Sequence, residues 1–141
     1  MNISIQLMPL KVEQGGCHML IKSRLNAKTS GYIIIDTGAS MSAFDKDTCL
    51  SFSKPLFNIK EVKSSGITNE SLNAIPVVIN KIFLGRRLFK NIKAVLIDLS
   101  HINALYSEFT NKMVIGLIGG NFLKKYKATI DYKNNKLNLE I

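Results

Sequence analysis

Short apolar runs, broken every few residues by polar or glycine-containing turns, dominate this chain. That rhythm predicts strands rather than long helices. Ile3 to Val12 reads as one strand interrupted at Pro9. Gly15-Gly16 is a turn, and Cys17 to Leu25 alternates well enough for a second strand. A polar turn, Asn26 to Gly31, leads to Tyr32-Ile33-Ile34-Ile35, wholly apolar as in a strand buried on both faces. This run passes directly into Asp36-Thr37-Gly38-Ala39-Ser40, and Asp45 to Phe52 then predicts a short helical turn.

Further along, Ile59 to Ile79 reads as a long hairpin with a polar tip at Ser64 to Glu70. Val77 to Leu84 and Leu88 to Ile97 form a strand pair around Gly85-Arg86. Apolar residues at Leu99, Ile102, Leu105, Tyr106 and Phe109 have the spacing of an amphipathic helix, which puts Tyr106 and Phe109 in the core. Val114 to Ile118 is a second buried apolar strand, ending in Gly119-Gly120, after which Asn121 is placed to cap a short helix through Lys125. Ala128 to Tyr132 and Lys136 to Ile141 make a closing hairpin around Asn134-Asn135. The expected fold class is all-β, a single domain spanning 1–141 with one or two short helices.

Composition narrows the function classes. The chain has 141 residues, 46% of them apolar and 21% charged, enough for one domain with a real core. No apolar stretch approaches the roughly 20 residues that span a bilayer, and Met1 to Ile5 has no signal-peptide pattern. A cytoplasmic location without membrane contact is therefore expected. The net charge of +9 is spread over many segments and lacks an interleaved aromatic motif, so a solvated surface is favoured over nucleic-acid binding. Cys17 and Cys49 have no metal-ligand spacing with each other or with His18 and His101. They are expected as free, mostly buried thiols, and neither a metal nor a cofactor is called for.

The chemically informative segment is Asp36-Thr37-Gly38. An ordinary turn after a strand would explain it alone. About 80 residues later, however, Val114-Ile115-Gly116-Leu117-Ile118-Gly119-Gly120-Asn121-Phe122-Leu123 repeats the logic of an apolar strand meeting a small-residue turn and then a helix. Together these segments resemble the retropepsin family of single-domain aspartic proteases. Asp36-Thr37-Gly38 matches its catalytic triplet, and Ile118-Gly119 with Asn121-Phe122-Leu123 resembles its hydrophobic-glycine signature. Lys127 to Tyr132 with Lys136-Leu137 resembles the C-terminal hairpin of bacterial and cellular members. The likeness runs from Pro9 to Leu139.

The resemblance implies a closed acid-protease barrel and hydrolysis of peptide bonds in an extended substrate. Of the five aspartates, Asp36, Asp45, Asp47, Asp98 and Asp131, only Asp36 has the Thr-Gly context after a buried strand. Acid-base hydrolysis needs two carboxyl groups in opposite protonation states, so the second is expected from the Asp36 of a twin chain in a homodimer. Gly38 is read as a position where a Cβ would collide with the carboxylate, and Thr37 as a tie to the partner's backbone. Ala39 has no hydroxyl to favour the charged carboxylate, so activity is expected nearer mildly acidic to neutral pH than strongly acid. Ser40 either lines the cleft or makes an internal turn bond. Ser65, Gly66 and Ile67 are the expected flap tip over the substrate, with apolar pockets drawn from Ile35, Ile75, Val77 and Ile115. The resemblance leaves open whether Lys136 to Ile141 join an interleaved dimer sheet. A non-catalytic peptide-binding or assembly module on the same fold is the alternative.

Overall fold

The computed structural model describes residues 1–56 and 74–141. The predicted flap tip and most of the Ile59–Ile79 hairpin lie outside the described residues.

The chain opens with β1 (Asn2–Gln6) and β2 (Met8–Lys11), which belong to different sheets. The single predicted strand is thus split. At Leu7 the backbone N–H turns away to the carbonyl of Asn135 at 2.9 Å, and the chain changes sheet there. Pro9 is tolerated because β2 is an edge strand, where a missing N–H breaks no central ladder. Next come β3 (Cys17–Arg24) and β4 (Ser30–Ile35), then β5 (Ala43–Asp45), too short to show an alternation in sequence. The first helix, α1 (Lys46–Cys49), is capped by Asp45, whose side chain accepts from the Thr48 N–H. After a 3-10 turn and β6 (Ser53–Pro55), the long strands β7 (Ile75–Leu84) and β8 (Arg87–Ile97) pair across Gly85-Arg86. The φ of +61° at Gly85 is one that only glycine adopts without penalty. The remaining elements are α2 (Ser100–Tyr106), β9 (Val114–Ile118), α3 (Gly120–Lys125), β10 (Thr129–Asp131) and β11 (Lys136–Glu140).

Six strands close into a barrel in the order β3-β4-β9-β5-β8-β7, because β7 returns to pair with the end of β3. One edge of β3 is shared: β2 takes Cys17 to Leu20, and β7 takes Ser23 and Arg24. Closure spares the six-strand ring the open edges that would otherwise invite foreign strands, and leaves β2 and β6 as the outer strands. The mainly β architecture with short helices is the one expected. Inward residues such as Ile21, Ile33, Phe44, Ile79, Ile82, Leu96, Ile115 and Ile118 fill the interior. A second cluster lies under α2, where Leu99, Tyr106 and Val114 pack with Leu10, Ile34, Ile97 and Ile102.

The termini form a separate sheet, β1-β11-β10. Both edges of β11 are hydrogen-bonded within the chain, Asn2 to Gln6 on one side and Thr129 to Asp131 on the other. An interleaved dimer sheet built from β11 would first have to displace one of these neighbours. Among the described residues, no helix is long and apolar enough to cross a membrane.

Two side chains depart from their expected burial. Cys49 is buried, but Cys17, at the open start of β3, is exposed. Tyr106 of α2 is buried, whereas Leu105 of α2 and Phe109, just beyond the helix, are 65% and 39% exposed.

Candidate active site

Two parallel strands at the centre of the barrel end side by side. In β4 and β9 the last paired residues are Ile35 and Ile118. The Asp36 N–H extends this ladder by one bond, donating to the Ile118 carbonyl at 2.9 Å. The carboxylate therefore leaves from a backbone held by the barrel rather than from a free loop. Beyond it the chain reverses. The Gly38 N–H donates to Asp36 Oδ1 at 3.0 Å, and the Ala39 N–H to the Asp36 carbonyl at 3.2 Å. Asp36 is half-buried, while Thr37, Gly38 and Ser40 are exposed. Among the described residues Gly38 is the one hydrogen-bond donor to this carboxylate, and it uses a single oxygen.

The turn after β9 locks onto the turn after β4. The Gly120 N–H donates to the Ala39 carbonyl at 2.7 Å, and the Asn121 N–H to the Ser40 carbonyl at 2.9 Å. Contrary to the expectation from its position, Asn121 does not cap α3; Gly119 stands at the N-cap with no side-chain bond. The Asn121 amide is used elsewhere. Its Oδ1 accepts from the Ser42 N–H at 2.7 Å and from Ser42 Oγ at 2.9 Å, and its Nδ2 donates to the Lys93 carbonyl at 2.7 Å. Ser42 Oγ in turn accepts from the Gly119 N–H at 3.0 Å. Ser42 is fully buried, so this network is satisfied where an unpaired group would be costly. The sequence marked Asn121 but not Ser42, which looks like any serine next to a strand.

Two glycines in the site differ in what they require. A Cβ on Gly119 would stand 2.6 Å from the Met41 carbonyl oxygen and 2.8 Å from that of Ala39, both backbone. A Cβ on Gly38 would meet Asp36 Oδ1 at 3.4 Å, an ordinary contact. The collision expected at Gly38 is therefore absent within the chain. Two of the expected pocket residues are also out of place, since Val77 and Ile115 point into the barrel core.

The other aspartates with hydrogen bonds are occupied structurally. Asp45 is buried, takes the Thr48 N–H and hydroxyl on Oδ2 and the Leu99 N–H on Oδ1. Asp98 accepts from the Ser100 N–H, and Asp131 from the Asn134 N–H and side chain. These bonds hold the Asp98 and Asp131 carboxyls below their usual range. Among the described residues no His, Cys, Asp or Glu cluster has the grouping of a metal site.

Comparison with known proteins bears on this geometry. Residues 21–122 match a family model described as aspartyl protease. The span includes Asp36-Thr37-Gly38 and the whole strand pair that carries it. Among solved structures, a retropepsin-like aspartic protease from Rickettsia conorii matches with a TM-score of 0.50 and 23% identity. The match covers 99% of this chain and 90% of that one, and at this identity it speaks for the fold. A search of curated protein sequences found no match.

Proposed function

Because the chain belongs to the retropepsin-like aspartyl protease family, we propose that it hydrolyses peptide bonds with Asp36 and the Asp36 of a second copy as its acid-base pair. The observation that carries this reading is a half-buried carboxylate at the mouth of a closed barrel, with its turn exposed and its backbone anchored to Ile118. Asp45, Asp98 and Asp131 are engaged in caps and turns. Among the described residues, neither these three nor Asp47 of α1 lies in the Asp36 turn, and this supports taking the second carboxyl group from a second copy. A twofold axis beside the exposed Thr37-Gly38 tip brings the two copies of Asp36 together. Thr37 is then the residue that reaches the partner's backbone. In this reading residues 1–141 act as one unit that supplies half of the site.

Two carboxyl groups about 3 Å apart cannot both ionise, so the pair holds one proton. The charged member takes a proton from water as the water oxygen attacks the carbonyl carbon. The protonated member donates to the carbonyl oxygen, giving a tetrahedral diol. Collapse of the diol breaks the C–N bond, and a proton passes to the leaving amine. The substrate lies extended across the pair, with Ala39 and Ser40 at its edge and the segment bearing Ser65, Gly66 and Ile67 as the proposed cover.

The test compares wild type with Asp36→Asn on a diverse peptide library across pH and over a dilution series. The amide keeps the shape and cannot serve as base, so cleavage should fall by at least about a hundredfold, with an unchanged circular dichroism spectrum. Specific activity should drop on dilution as the dimer dissociates. Equal cleavage by both proteins, or an active strict monomer at micromolar concentration, would refute the shared pair.

A further inference from the structure

Asp36 does not stand alone on its face of the sheet. In the antiparallel register of β3 and β4, Leu20 is opposite Ile34. Continued by two residues, that register sets His18 opposite Asp36. In the next pairing Leu10 of β2 is opposite His18. Leu10 and Ile34 are the residues that α2 covers. Since side chains two apart in a strand share a face, the Asp36 row and the α2 cover are on one side of the sheet. Tyr106, at the end of α2, completes the connection. Its hydroxyl is hydrogen-bonded to His18 Nδ1, and the two rings meet edge to face with centroids 5.5 Å apart. Burial raises the Tyr106 hydroxyl's pKa above its ordinary value, and the Asp36 charge raises it further.

Beside this pair is a pocket of about 280 Å³ bordered by Glu13, His18, Leu105, Tyr106, Glu108 and Phe109. It has room for one or two side chains, not for a typical small-molecule ligand. Leu105 and Phe109 are large apolar groups left exposed at its wall, the usual mark of an interaction surface. Its mouth carries two exposed carboxylates, Glu13 and Glu108, and neither is in an ion pair among the described residues. In a chain of net charge +9 this is a local reversal of sign. A basic peptide is repelled by most of the surface and drawn here.

We propose that the end of α2 and the turn between β2 and β3 form a substrate-recognition subsite, which takes a large apolar side chain of the peptide with a Lys or Arg next to it in sequence. This rests on the reading of Asp36 as the group that acts on peptides. Leu105 and Phe109 grip the apolar side chain, Tyr106 and His18 form its floor, and Glu13 with Glu108 select the basic neighbour.

The experiment separates binding from turnover. A randomised peptide library is selected for binding to the Asp36→Asn protein, and to that protein carrying either Leu105→Asp or the pair Glu13→Gln and Glu108→Gln. Leu105 is exposed, so its substitution should leave the thermal midpoint in place. The Asp36→Asn protein should enrich a large apolar residue adjacent to Lys or Arg. Leu105→Asp should weaken binding of the enriched peptides roughly tenfold. The glutamine pair should keep the apolar preference and lose the basic one. No enrichment on the Asp36→Asn protein, or the same motif surviving in both pocket variants, overturns the subsite. The enriched peptides are then offered to wild type. If they bind and are not cleaved, the proposed reaction fails while the subsite stands.

Discussion

Strands β4 and β9 lie parallel in the same barrel and end level with each other, at Ile35 and Ile118. The turns beyond these two ends are built differently. After β4 comes Asp36 and an exposed Thr37-Gly38 tip; after β9 come Gly119, with no room for a Cβ, and Gly120. The first end presents a functional group outward. The second is a receptacle, shaped so that Met41 and Ala39 carbonyls can sit against it. A barrel with two such ends has one carboxylate to offer, and this is why the proposed chemistry needs a second copy.

Substituting both glycines by alanine sharpens this contrast, and Gly119→Ala carries the larger effect. Its Cβ meets two backbone oxygens below 3 Å, and neither can rotate away. A loss of about 3 kcal/mol or more is expected, read as a lower urea midpoint with little change in slope. A variant as stable as wild type would mean that the two turns do not pack as described.

The Asn121 amide comes next. Asn121→Ala deprives the Ser42 N–H and hydroxyl and the Lys93 carbonyl of their partner. The Ser42 side is buried, so about 1–3 kcal/mol should be lost. Asn121→Asp keeps the acceptor toward Ser42 and loses the donor toward Lys93, so it should fall between Ala and wild type. Equal stability of all three would show that the network adds nothing to the contact between the turns.

Beneath the receptacle side, Cys49 is fully buried and its Sγ donates to the Ile115 carbonyl of β9 at 3.9 Å. Burial first, and the charge of Asp45 second, push this thiol up from 9.0 to about 12. The raised value fixes the sign of the pH effect. Below about pH 9 the thiol is neutral folded and unfolded, and contributes no slope. Between 9 and 12 it ionises only in the unfolded chain, so stability should fall as pH rises, by on the order of 1 kcal/mol per pH unit. Cys49→Ala should flatten that part of the stability–pH curve. At neutral pH a thiol reagent should label exposed Cys17 in the native protein and reach Cys49 only after unfolding.

Much of this architecture was legible in the sequence where a run was long or apolar enough to have one interpretation. Tyr32 to Ile35, Val114 to Ile118 and the Gly85-Arg86 hairpin fall where the pattern puts them. The place of Asp36 at a strand end comes from the same pattern. The features that stayed hidden depend on contacts between distant segments. Leu7 changes sheet because Asn135, far along the chain, accepts its N–H. Asn121 has the position of a cap, but the fold brings Ser42 and Lys93 to it instead. β5 has three residues and exists because β8 and β9 flank it. From Leu99 to Phe109 the apolar spacing shows a buried face around Tyr106, but spacing cannot tell that Leu105 and Phe109 border a pocket.

The smallest expected effect on stability is the most informative about function. Gly38→Ala adds a methyl group at ordinary contact distance from Asp36 Oδ1, on backbone outside the left-handed region. The folded chain has no objection to it, so stability should change by no more than about 0.5 kcal/mol. The Gly38 tip is exposed, however, and in the proposed dimer it lies where a twin chain and a substrate approach the carboxylate. A methyl group there should displace the reacting groups and lower peptide hydrolysis roughly tenfold to a hundredfold. The pair of measurements is decisive because the two glycines would then fail in opposite ways: Gly119→Ala loses stability, Gly38→Ala only the reaction. Full activity in Gly38→Ala would show that nothing comes close to this turn, and would count against a shared carboxylate pair.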